Sequence, residues 1–325
     1  MTLKLTRRQV IAAGAALPLV PTAAQAALTE KPVRWIVGYP PGGSTDTLAR
    51  MLSTGLSKSI GQTVIVDNRP GAGSAIAAGV LAAAAPDGLT VMGADNGTLI
   101  NNPVLYKDLK YDPDRDFRPV GLYAGINLVL AVGVNSSFKT GAEFVAAAKV
   151  AKEPITYASP GLGSPLHLAM ERFVRDADIR LTHIPYRGMA PALTDALASV
   201  VQSIIIDYTT ASEAIKGGLL RPLAVFSKTR LAALPDVPTM SEQGVPGFSA
   251  GAWQGVIVPR KTPDAVVASL SHGLTAALSD PGIRLRYDQL GLELPQSDPE
   301  TFARRWQQDK EYWPQLIRSL GIKLD

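Results

Sequence analysis

Short apolar runs alternate with amphipathic stretches along almost the whole chain, and this pattern constrains the fold more than any other feature. The runs fall at 33–37, 63–66, 90–93, 120–122, 128–134, 155–157, 181–184, 204–207, 223–226 and 255–258. They are continuous and rich in Val, Ile and Leu, as strands buried on both faces of a parallel sheet are. Between them Leu48, Leu52, Leu56 and Ile60 repeat at helical spacing, as do Leu166, Met170 and Phe173, and Val266, Leu270, Leu274 and Leu278. Thr140-Gly141-Ala142-Glu143 reads as a capping box, and Ser164-Pro165, Thr262-Pro263 and Asp298-Pro299 each set a capping residue before a first-turn proline. The expected fold class is α/β with mainly parallel central sheets.

A length of 325 residues suggests about two domains, yet no low-complexity linker divides the chain into consecutive blocks. The domains are therefore expected to be interleaved. The apolar stretch 120–134, with Gly125 inside it, suits one crossing, and 248–258, where glycines flank Trp253, suits the return. On this reading domain I is 27–126 plus 252–325, and domain II is 127–251.

The N-terminus predicts the compartment. Lys4, Arg7 and Arg8 form a positive head with no acidic residue before Glu30; an apolar stretch over 10–20 follows, and Ala24-Gln25-Ala26 is a small-x-small cleavage site. That is the layout of a bacterial export signal, expected over residues 1–26 and removed on export to the periplasm. Thr6-Arg7-Arg8-Gln9-Val10-Ile11 resembles the twin-arginine signal, with Val10 where Phe is usual; general secretion is the other route. Removing Lys4, Arg7 and Arg8 leaves 29 basic against 28 acidic residues, so the net +4 of the whole chain falls to about +1. No basic patch for nucleic acid or anionic membrane survives that subtraction. With no Cys there is neither a disulfide nor a residue for an N-terminal lipid, so a soluble periplasmic monomer is expected rather than a lipoprotein. Three His and no Cys make a structural zinc site a poor expectation, and no metal or other cofactor is predicted.

Two strand-to-helix turns look alike. The first run leads into Gly38-Tyr39-Pro40-Pro41-Gly42-Gly43-Ser44-Thr45-Asp46; the run at 155–157 leads into Ala158-Ser159-Pro160-Gly161-Leu162-Gly163-Ser164-Pro165. Glycines let the backbone approach a ligand closely, and a helix start offers unpaired N–H groups and about half a positive charge. A small anion fits such a corner without a charged side chain. In open α/β sheets these corners lie at the carboxyl ends of strands, where ligands bind. The candidate ligand-binding residues are Tyr39, Pro41, Gly42, Gly43, Ser44 and Asp46 on the first corner, and Gly161, Gly163, Ser164 and His167 on the second. Tyr186 and Gly188, opening another helix, and Asp207, ending a run of Ile residues, complete the set. Arg187 could offer a fork to a carboxylate or be an ordinary surface arginine, and Trp253 could wall the cleft or pack a hinge. A third glycine-rich turn, Asn68 to Ser74, reads equally well as a packed corner.

Enzyme signatures fail on inspection. Gly42-Gly43-Ser44-Thr45-Asp46 lacks the second glycine of a nucleophile elbow, and Ile76 stands where a dinucleotide fingerprint needs its third glycine. No catalytic residue is predicted.

The chain resembles the Bug family, the extracytoplasmic solute receptors of tripartite tricarboxylate transporters. The matching landmarks are 39–46, 68–73, 161–168, 185–193 (Pro-Tyr-Arg-Gly-Met-Ala-Pro-Ala-Leu) and 234–244 (Leu-Pro-Asp-Val-Pro-Thr-Met-Ser-Glu-Gln-Gly). The resemblance implies a two-domain Venus-flytrap periplasmic binding protein, with a small organic carboxylate between the first two corners. Backbone groups, hydroxyls and water would meet the carboxylate, and a membrane permease would receive it. A mono- or dicarboxylate, aromatic or not, satisfies this reading. One departure stands out: where the family has a Gly-Gly turn, this chain has Ala198-Ser199-Val200-Val201-Gln202-Ser203. The alternatives are an exported α/β hydrolase and a binding protein that feeds a sensor kinase.

Overall fold

The computed structural model describes residues 31–324, so the expected export signal lies outside the described residues. The chain opens with β1 (Val33–Val37), α1 (Ser44–Ile60), β2 (Val64–Asn68), α2 (Ala75–Ala82) and β3 (Thr90–Asp95). A π-helical turn over Gly97–Asn101 runs into α3 (Asn102–Leu105), and α4 (Pro113–Asp116) leads to the 17-residue β4 (Phe117–Gly133). Next come α5 (Gly141–Val150), β5 (Ile155–Ser159), α6 (Pro165–Asp176), β6 (Leu181–Pro185) and α7 (Met189–Leu197). They are followed by β7 (Ser203–Asp207), α8 (Tyr208–Lys216) and β8 (Leu220–Val225). The chain closes with β9 (Gly251–Pro259), α9 (Asp264–Leu278), α10 (Pro281–Gln289), β10 (Leu292–Glu293) and α11 (Pro299–Leu320).

The strands hydrogen-bond in the order β2-β1-β3-β9-β4-β7-β5-β6, with β10 and β8 also pairing with β4. Two parallel triplets, β2-β1-β3 and β6-β5-β7, form the ends. Antiparallel β9 and β4 join them, so the sheet is mixed rather than mainly parallel. The runs at 120–122 and 128–134 belong to one strand, β4, which ends one residue before Val134. Its first part pairs with β9 and its last with β7 and β8. Gly125 and Asn127 interrupt the apolar pattern without breaking the strand. A side chain at Gly125 would meet Glu293 of β10, and the Asn127 amide donates to the Gly291 carbonyl at 2.9 Å.

Apolar faces explain the layering. Leu48, Leu52 and Leu56 of α1 are buried with Leu270, Leu274 and Leu278 of α9 in one cluster over the β1–β3 end. Trp253 is buried on the opposite face, edge-on to Phe302, with its indole N–H donated to Asp309 at 2.6 Å. It therefore packs the core and does not wall a cleft. Thr140, Ser164 and Asp298 cap their helices with side-chain oxygens, as expected. Thr262 does not: α9 begins two residues later, after Pro263. In the departing turn, Ser199 adopts the left-handed conformation (φ 59°) that glycine would adopt, and β7 still ends at Asp207.

Candidate functional site

At the first corner the chain leaves β1 and turns through Gly42, whose φ of 87° disfavours any side chain. Asp46, buried in the first turn of α1, folds back to accept from the Gly42 N–H at 3.0 Å, Asn68 at 2.9 Å and Arg50 at 3.1 Å. Burial alone raises the pKa of Asp46, but bonds from Arg50, Gly42 and Asn68 outweigh it and hold the group below its usual value. Asp46 thus braces the corner from behind. Gly43 is the N-cap of α1, and no side chain caps that helix. The third glycine-rich turn is structural: Ser74 is buried against Gly38, and its hydroxyl bonds that of Thr98.

The second corner is built differently. Ser164 caps α6 with its own hydroxyl, accepting from the His167 N–H at 3.2 Å, and Pro165 supplies no N–H at the next position. His167 is 2 % exposed; its Nδ1 accepts from the Gly163 N–H at 3.0 Å and its ring stacks on His183 at 4.0 Å. His183 in turn bonds the Ser159 hydroxyl at 2.7 Å. Burial, helped by the neighbouring His183, pushes the His167 pKa down to about 3, and burial pushes His183 down to about 4. Both rings are neutral at neutral pH and act as braces. Gly161 faces the Tyr186 carbonyl rather than open space.

Two further helix starts complete the site. Gly188 (φ 114°) is the N-cap of α7, again with no side-chain cap, and a Cβ there would stand 3.9 Å from Pro40 of the first corner. Tyr186 points elsewhere and donates to Asp195 at 2.6 Å, which braces α7. Asp207 caps α8, accepting from the Thr210 N–H at 2.9 Å and its hydroxyl at 3.0 Å. Burial raises the pKa of Asp207; the bonds from Thr210 and from the Ser44 hydroxyl of the first corner offset part of that rise.

These four helix starts converge on one cavity of about 230 Å³. Among the sequence candidates, Tyr39, Pro41, Gly42, Gly43, Ser44, Ser164, Gly188 and Asp207 line it; Asp46, Gly161, Gly163, His167 and Tyr186 stand behind it. Arg187 also lines the cavity, and Trp253 does not. Sequence reasoning missed Thr45, Asp95, Ile126, Met189 and Gln254. Asp95 ends β3 at the same sheet edge as the first corner, accepting from the Tyr39 hydroxyl at 2.6 Å and from Thr98 at 2.7 Å. Burial and the Asp95 charge push the Tyr39 pKa well up, so its hydroxyl keeps the proton it donates. Gln254 is the one polar side chain in the run 252–258, a signal that was legible. The volume lies below the ~300–1,000 Å³ of sites for drug-sized ligands, which suits a small metabolite. Uncapped N–H groups at two helix starts favour an anion there. Among the described residues no cluster of three or more His, Cys, Asp or Glu could hold a metal, and no helix is long and apolar enough to cross a membrane.

A sheet with two parallel ends and a small cavity ringed by helix starts defines a receptor of the periplasmic binding-protein class. Residues 48–322 match the tripartite tricarboxylate transporter family receptor model, and the chain belongs to that family. It is 36% identical over 316 residues to the UPF0065 protein of the tcbD–tcbE intergenic region of Pseudomonas sp. strain P51, covering 96% of this chain and 94% of that one. The solved periplasmic binding protein BugD superposes with a TM-score of 0.83 at 33% identity, covering 90% of this chain and 99% of that one. R. palustris Rpa4515, solved with adipate, superposes at 0.86 and 30% identity over 91% and 99%.

Proposed function

We propose that this protein is a periplasmic receptor that captures a small organic carboxylate in the cavity and delivers it, as a monomer, to the permease of a tripartite tricarboxylate transporter. The observation that carries the reading is the convergence of four helix starts on one cavity, two of them without side-chain caps. Family membership and the adipate bound to the R. palustris relative support it. In this reading residues 27–126 with 252–325 and residues 127–251 are two lobes hinged at β4 and β9. Closure dries the anion's surroundings and strengthens its bonds to Ser44 and neighbouring N–H groups. The protein binds and does not turn over: His167 has its Nδ1 engaged by Gly163, and His183 and Ser159 lie outside the cavity lining. Export by the twin-arginine route belongs to the proposal, and retention of an Arg7→Lys, Arg8→Lys double variant in the cytoplasm would mark it. The central test is a thermal-shift screen of the mature protein against carboxylates. A ligand that binds only the folded state raises the melting temperature with concentration. If no carboxylate does so, the reading fails.

A further inference from the structure

The grip for the ligand anion and the Asp207 carboxylate meet at one hydroxyl. Ser44 opens α1 just after the uncapped Gly43, so a carboxylate held at that helix start comes within reach of the Ser44 side chain. That hydroxyl already bonds Asp207, and a serine has a single O–H to give. Asp207 lines the same cavity, is 5 % exposed and has no ion-pair partner among the described residues. Its neighbours supply no substitute donor: Gln254 gives its Nε2 to the Thr45 hydroxyl at 2.6 Å, and its buried Oε1 is one more acceptor. The other acids and bases around Asp207 are already engaged. Tyr39 and Asp95 in the lining bond each other at 2.6 Å, and Asp46 of α1 is paired with Arg50. On α6, His167 is bonded by the Gly163 N–H and Glu171 accepts from Tyr157; at α7, Asp195 accepts from Tyr186. Arg187, an exposed side chain, is the cation of the lining.

A ligand carboxylate brought to Ser44 therefore puts two carboxylates on one hydroxyl in a poorly solvated space. Like charges so placed do not both stay ionised; a proton shared by the pair relieves the repulsion and supplies the missing donor. We propose that the protein takes up a proton together with its ligand, held between the ligand carboxylate and Asp207. The proton comes from solvent, and the complex is one unit less negative than its ionised parts. Burial already raises the Asp207 pKa, the direction that such uptake needs. This rests on the carboxylate reading above and deepens it.

The test is calorimetric titration of the mature protein with adipate, the acid solved with the R. palustris relative. If adipate does not bind, the carboxylate that raises the melting temperature most in the screen above takes its place. Between about pH 6.5 and 9 a free carboxylic acid is ionised, so any proton gained on binding enters the complex from solvent. Repeating the titration in buffers of low and high heat of ionisation counts those protons. An uptake of about half a proton or more per ligand is expected within that range, with affinity falling by up to about tenfold per pH unit as pH rises. In Asp207→Asn both the uptake and the pH dependence should vanish. Asn caps a helix about as well as Asp, so the variant should fold, and its melting temperature checks that. Binding to the parent protein with no proton uptake anywhere in the range overturns the proposal, whatever the variant does. Uptake that survives in folded Asp207→Asn overturns it as well. If no carboxylate binds at all, the receptor reading itself falls and takes this inference with it.

Discussion

The two glycine-rich corners read as twins in the sequence and behave as opposites in the fold. At the first, Gly43 leaves the start of α1 uncapped and the backbone faces the cavity. At the second, Ser164 fills the cap of α6, Pro165 removes an N–H, and Gly161 and Gly163 turn away toward Tyr186 and Leu105. The partner that faces the first corner is instead the start of α7, where Gly188 approaches Pro40. The lesson is local: an anion site needs helix N–H groups that no side chain has already claimed, and glycine content does not reveal that.

The largest expected effect comes from making the first corner like the second. Gly43 has extended backbone (φ −80°, ψ 172°), and a Cβ there would meet only the Pro40 carbonyl, at 4.0 Å, so Gly43→Asp should cap α1 with its own carboxylate. Carboxylate affinity by calorimetry is expected to fall about 100-fold or more, roughly 2.7 kcal/mol, while thermal stability holds or rises by a few tenths of a kcal/mol. Retained affinity would break the contrast. The reverse experiment strains the second corner. Gly163 has φ 75°, and a Cβ there would clash with the end of the Leu105 side chain. Gly163→Val is expected to cost about 2 kcal/mol in denaturant unfolding, from backbone strain and the clash.

A smaller effect should follow acidification, because the second corner hangs on two neutral histidines. Their folded pKa values, about 3 for His167 and about 4 for His183, lie below the unfolded ~6.5. The unfolded chain therefore takes up protons first, and the stability they confer is complete above about pH 6.5 and is lost as pH falls toward 4 and then 3. Melting temperature measured across that window should drop less steeply in His183→Gln than in the parent protein. The smallest effect is Ser164→Ala. Losing the cap should cost about 1 kcal/mol of stability but change carboxylate affinity less than about threefold. An affinity loss matching that of Gly43→Asp would restore the two corners to equal roles.

Much of the architecture was legible. Runs such as 33–37 and 155–157 are apolar because the parallel triplets are covered on both faces, and the spacing of Leu48, Leu52 and Leu56 records which side of α1 meets the sheet. The continuity of β4 was not, because Gly125 and Asn127 break the apolar pattern where β10 and Gly291 supply the contacts. Within the site, Tyr39, Pro41, Gly42, Gly43, Ser44, Ser164, Gly188 and Asp207 were marked by their glycines, hydroxyls and positions at strand ends. His167 and Tyr186 were marked by the same logic and lie behind the cavity, since a side chain's direction depends on which neighbour reaches it first. Gln254 carried a legible signal as the one polar side chain of its apolar run, whereas Asp95 was passed over because nothing local distinguishes a buried polar group facing a ligand from one facing the core.

Periodicity, caps and turn glycines are properties of a few adjacent residues, so strand–helix alternation, the corners at strand ends and the family landmarks could be read from the chain by itself. Which helix starts stay uncapped, which of them meet, and where Arg187 stands relative to Asp95 and Asp207 depend on contacts between residues far apart in the chain. Asp207 ends β7, whereas the Ser44 that faces it opens α1 after β1, and β3, β9 and β4 lie between those two strands in the sheet. Tertiary structure alone brings such groups within hydrogen-bonding range, because a cavity is a relation among distant surfaces and leaves no trace in the local pattern of any one of them.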